Sequence, residues 1–173
     1  MAAPQVVSQK KHKHPREGKP KLLWPAALKK CILGPSTLLL HRSVCNRAGY
    51  FDPHIQIAED YEYFLRLISS FEVAYCPDYL VVKRDNLAPS QLSRRLPWIE
   101  PCRAHALEKL LLSPRATRLF SPEQHSGARA ELLRKWNICL SGARKRRAKT
   151  PADLRISMEV QKLEAKVAWW QSR

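Results

Sequence analysis

Residues 33–93 set short apolar runs between breakers in a definite order, and that order restricts the fold more than any other feature. Gly34-Pro35 precedes residues 36–41, a Thr- and Leu-rich run that reads as a buried strand. Residues 42–48 then read as a short helix stopped by Gly49, placed where the chain needs a positive φ. In Tyr50-Phe51-Asp52-Pro53 the proline holds Asp52 extended and marks an aromatic-rich turn. Glu59-Asp60 opens a helix whose Phe64, Leu65, Leu67 and Ile68 share one broad face. Two β-rich runs follow, residues 72–76 and 79–83, parted by Pro77-Asp78. The pattern predicts an α/β domain.

Three pieces, PSTLLLHRSVCNRAGYFD, EDYEYFLRL and YLVVKR closing in Gln91-Leu92-Ser93, carry a family likeness. In this order and spacing they resemble the second half of the catalytic domain of family 2 glycosyltransferases, which have the GT-A fold. The resemblance implies a partial, Rossmann-like GT-A domain over residues 22–112, between a disordered basic tail (1–21) and a helical tail (113–173) like that of bacterial members. It implies inverting transfer of a sugar from a nucleotide-sugar donor to a glycan or lipid-linked acceptor. Asp60 matches the general-base position. A sugar hydroxyl is a poor nucleophile, and an aspartate within hydrogen-bond reach removes its proton as the new bond forms. Glu59 would orient the acceptor or the loop, and Arg84, Ser93 and Arg94 fall on the substrate-binding side. Acids in a first helical turn are also ordinary helix stabilisers, worth ~0.3–1 kcal/mol each.

The first part of the chain departs from the family. Only 32 residues precede Leu33, and no Asp precedes Asp52. The Asp-x-Asp carboxylates that hold Mg²⁺ or Mn²⁺ against the donor diphosphate have no counterpart, nor does the parallel sheet that cradles the nucleotide. The histidine that many relatives carry shortly after the position of Arg84 is also missing from residues 85–89. The expectation is the acceptor-side fragment of a longer enzyme, inactive alone. It would be a truncated or mis-started product, or would meet a separate donor-binding chain. The divalent cation belongs to the complete enzyme.

Charge is divided unevenly. Residues 1–30 hold eight Lys/Arg against one acid, residues 31–90 five against seven, and residues 91–173 eighteen against seven. The family-like centre is slightly acidic and its flanks are basic, whereas a nucleic-acid-binding domain more often sets cations over its organised face. Five cysteines, at 31, 45, 76, 102 and 139, are widely spaced and odd in number, which points to buried thiols in a reducing compartment. No run approaches a membrane span and no apolar leader opens the chain, so a cytoplasmic protein is expected; a place peripheral to the inner membrane, near lipid-linked acceptors, is compatible with this, as is a protein with no membrane role.

Beyond Ser93 the pattern is helical. Ala106, Leu107, Leu110 and Leu111 form a stripe stopped at Ser113-Pro114. A second helix starts at Ser121-Pro122-Glu123, turns Leu132, Leu133, Trp136 and Leu140 inward and closes at Gly142, leaving Arg144-Lys145-Arg146-Arg147 as the connection. A third opens at Thr150-Pro151-Ala152-Asp153 in capping-box fashion, with Ile156, Val160, Leu163, Val167 and Trp170 at helical spacing. The last two resemble a tetratricopeptide-type hairpin. Of Trp169 and Trp170, one left exposed would mark a docking or membrane-facing site. A second functional class is a basic binding protein for anionic lipid or nucleic acid, using the clusters at Lys10 and Arg144. No finger, RNP-like or helix-turn-helix signal supports specific nucleic-acid recognition.

Overall fold

The computed structural model describes residues 20–74, 76, 80–81 and 98–173, apart from the side chains of residues 20–22, 115 and 117. The regular elements among them are helices: α1 (Pro20–Lys29), a 3-10 turn (Pro35–Thr37), α2 (Arg42–Ala48), α3 (Glu59–Ser70), α4 (Glu100–Leu112), α5 (Pro114–Leu119), α6 (Pro122–Lys149) and α7 (Leu154–Gln171). Val73 makes a single β-bridge, and no sheet is present among the described residues. The expected α/β, Rossmann-like GT-A domain is therefore overturned, and with it the glycosyltransferase resemblance.

The physical reason lies in residues 36–41. Leu38 and Leu40 pack against the core while Leu39 is 100% exposed, so the side chains do alternate. A period of two reports an extended backbone, but a strand also needs a neighbour for its N–H and C=O groups. Here the run coils at its start, where the Thr37 N–H and hydroxyl both donate to the Gly34 carbonyl, at 2.9 and 2.8 Å. It then leads extended into α2. Of the later β-rich runs, 72–74 hold only the Val73 bridge, and most of 79–83 lies outside the described residues.

Local signals that do not need a sheet behave as expected. α2 spans Arg42–Ala48 and stops at Gly49, whose φ of 78° is one that glycine adopts freely and whose N–H reaches the Cys45 carbonyl at 2.8 Å. α3 buries both faces, with Tyr61, Phe64, Leu65 and Ile68 inaccessible, because α1, α4 and α5 all pack on it. Its Tyr61 hydroxyl donates to the Leu28 carbonyl and ties it to α1. α4 then joins α3 to α6 through Leu107, Leu110, Leu132 and Trp136.

The last two helices form an antiparallel hairpin, shown by Arg129 against Trp170, Arg144 against Glu164 and Arg146 against Glu159. α6 starts with a full capping box: the Ser121 hydroxyl accepts from the Gln124 N–H, and the Gln124 side chain accepts from the Ser121 N–H. It does not close at Gly142. It runs on through Arg144-Lys145-Arg146-Arg147 to Lys149, since buried Ala143 and the two ion pairs to α7 outweigh the ~1 kcal/mol that one interior glycine costs. Thr150 caps this helix at its C-terminus, and Asp153 is the N-cap of α7, accepting from the N–H groups of Arg155 and Ile156. At 28 residues, α6 is too long for a repeat of about 34 residues that must hold two helices, so the tetratricopeptide likeness fails as well.

Candidate functional site

Glu59 and Asp60 are the first two residues of α3, after Ala58 in a left-handed conformation (φ 66°, ψ 27°). One Asp60 carboxylate oxygen accepts from the Tyr61 N–H at 2.7 Å, the ordinary use of an acid at a helix start. The Cys31 thiol lies against it, and burial together with the Asp60 charge pushes that thiol up to about 12. The next acid, Glu62, turns inward to the fully buried Arg66 in a bidentate pair at 2.8 and 2.9 Å. Arg66 also donates to the carbonyls of Ala48 and Tyr50, fixing the turn after α2. Arg84, Ser93 and Arg94, expected to bind substrate, lie outside the described residues, as does the basic cluster at Lys10. Among the described residues no group of His, Cys, Asp and Glu could hold a metal ion. With no sheet among the described residues, the expected sugar-transfer function is overturned.

A second polar centre is structural. Lys135 of α6 is fully buried, and its ammonium donates to the Lys29 carbonyl at 3.0 Å and to Glu100 at 2.9 Å, with Glu131 at 3.2 Å. Arg103 and Arg134 take the other sides of the two acids. Burial opposes ionisation of Glu100 and Glu131, but the Lys135 and arginine hydrogen bonds outweigh it and hold both below the usual carboxylate range. Asp52 is likewise lowered, by its hydrogen bond from Lys109. Folded pKa values below the unfolded ones stabilise the protein above roughly pH 4, and that contribution disappears as pH falls through the lowered values. His105, pressed edge-on to Trp136, is pushed down by burial and by Lys166, so its protonation opposes folding in the same direction. Thermal stability should therefore decline steadily as pH falls from neutral to about 3. A melting temperature independent of pH over that range would contradict this network.

A groove of about 750 Å³ lies between residues 54–57 and α4, lined by His54, Ile57, Cys102, His105, Lys109 and Leu112 among others. Its ionic side chains are engaged with neighbours. Lys109 meets Asp52 at 2.9 Å, and Glu108 accepts from Lys166 at 2.6 Å and from the Trp170 indole at 2.7 Å.

The surface of the hairpin is different. Around the turn between α6 and α7, Lys145, Arg147, Lys149 and Arg155 are exposed, and none forms an ion pair among the described residues. Arg144 and Arg146 are paired across the hairpin, and Arg146 also lies over the half-exposed Trp98 ring, 4.0 Å from its centroid. On α7, Val160, Leu163, Val167 and Trp170 pack into the core as expected and Ile156 is half-buried, while Leu154, Met158 and Trp169 are 77%, 54% and 40% exposed. The cation cluster was visible in the sequence. Of the outward apolar residues, Trp169 is the exposed member of the tryptophan pair that the sequence singled out, whereas Leu154 and Met158 were legible only as hydrophobic positions falling off the inward stripe. Compared with models of known protein families, with curated proteins and with solved structures, the chain matches none.

Proposed function

We propose that this chain is a helical binding module for phosphate-bearing anionic surfaces, with its contact on the α6–α7 hairpin. The observation that carries the reading is the cluster of Lys145, Arg147, Lys149 and Arg155, exposed at one end of the hairpin and without acidic partners among the described residues. Asp153 is the one acid between residues 144 and 155, and its carboxylate is turned onto the backbone of α7. Cations not neutralised within the fold keep their long-range attraction for an anionic partner. The helices beneath them, packed through Leu132, Trp136, Val160 and Val167, hold the cluster on a rigid support.

Binding of this kind weakens steeply with salt, because each phosphate contact releases counterions. The purified chain should bind inorganic polyphosphate at low salt. Replacing Lys145, Arg147 and Lys149 together by Gln should weaken that binding at least tenfold and lower the salt slope by roughly one per cation removed. No binding at low salt, or an unchanged slope in the triple variant, would overturn the reading.

A further inference from the structure

The outer face of α7 carries a second pattern that cations alone do not explain. Leu154, Met158, Ala165 and Trp169 follow one another at steps of four, seven and four residues. At 3.6 residues per turn these steps keep all four on one side of the helix, opposite Ile156, Val160 and Val167. All four are exposed. α7 is thus apolar on two opposite faces: one packs on α6, and the other forms a strip ~22 Å long, from about fifteen residue steps at 1.5 Å each.

The neighbours of this strip point to what covers it. Arg155, Lys162 and Arg173 run along one border, and the Arg173 guanidinium lies 3.8 Å from the centroid of the Trp169 ring. The acids of α7 are elsewhere: Glu159 and Glu164 lie toward α6, paired with Arg146 and Arg144. An apolar strip with a tryptophan, edged by long cations and free of acid, has the make-up of a helix lying in the headgroup region of an anionic bilayer. There the apolar side chains enter the acyl boundary while the cations reach the phosphates. A nucleic acid would engage Arg155 and Lys162 but would give Leu154 and Met158 nothing to bury against. No described helix is long and apolar enough to cross a membrane, so the contact is one of lying on the surface.

We infer that α7 lies flat on anionic membranes, burying Leu154, Met158 and Trp169 in the interface. This inference rests on the reading of the hairpin as an anionic-surface site and names the lipid bilayer as that surface. The test is co-sedimentation with vesicles of phosphatidylcholine containing phosphatidylserine, against phosphatidylcholine alone, with polyphosphate binding measured in parallel. The intact chain should bind the anionic vesicles and shift its tryptophan emission to the blue, and Trp169→Phe should reduce the shift. Leu154→Ser with Met158→Ser should weaken vesicle binding at least tenfold and leave polyphosphate binding unchanged, since it keeps every cation. Both positions are exposed, so helicity and melting temperature should match the parent. Vesicle binding equal to the parent in the serine variant would overturn the inference. Polyphosphate binding without vesicle binding would overturn it too, leaving the broader reading intact. Failure to bind either would overturn both.

Discussion

Replacing Arg66 by Met should destabilise the protein by about 3–5 kcal/mol, the range for breaking one side of a buried ion pair. Arg66 is fully buried and supplies four things at once: both halves of the fork to Glu62, and donors to the carbonyls of Ala48 and Tyr50. Its guanidinium also lies 4.9 Å from the centroid of the Tyr63 ring. Methionine fills much of the volume but leaves the Glu62 carboxylate, itself buried, without its cation. For a chain of 173 residues this amounts to a fall of roughly 10 °C in melting temperature. Adding Glu62→Leu should recover only part of the loss, because the two carbonyls remain without donors. A single Arg66→Met variant that melts within a degree or two of the parent would show that this centre does not hold the turn after α2.

Lys135→Met should cost about 3 kcal/mol for a related reason and should leave a second, distinct signature. The ammonium joins three elements, the C-terminal carbonyl Lys29 of α1, Glu100 of α4 and Glu131 of α6. Without it the two acids keep Arg103 and Arg134 but lose their most buried partner. Their pKa values then move back toward the ordinary range, so the fall of stability with acid should become shallower even as the stability at neutral pH drops. A cavity or packing defect alone would lower the whole curve without changing its slope. Melting temperatures of parent and variant at neutral pH and near pH 4 separate the two accounts. Parallel curves would contradict the electrostatic one.

The parts of the fold that were legible in the sequence are those decided within a few residues. Gly49 ends α2 because it alone supplies a free positive φ there, and Ser121 with Gln124 starts α6 through its own hydrogen bonds. The inward stripe of α7, from Val160 to Trp170, needs only the helical period. The errors lie where the outcome depends on a distant partner. Residues 38–40 have the alternation of a strand but no neighbouring strand among the described residues to complete it. Gly142 has the local character of a stop, yet the helix passes through it because Glu159 and Glu164 wait on the facing helix. Thr150-Pro151-Ala152-Asp153 contains two capping residues, and the choice between them followed where α6 actually ended.

The likeness to a sugar-transfer domain failed for the same reason. Glu59-Asp60 followed by an aromatic-rich helix is also what a helix buried on all sides requires: acids at its start, apolar rings inside, and a buried Glu62–Arg66 pair to tie it down. The sequence by itself determined the helical periods, the local stops and caps, and the excess of cations in residues 91–173, because each of these depends on residue type and near neighbours. Tertiary structure decided that no sheet forms among the described residues, which charges are neutralised and which stay free, and that α7 turns apolar side chains both into the core and out of it. Those outcomes depend on which surfaces meet, and burial is a property of the assembled chain rather than of any one segment.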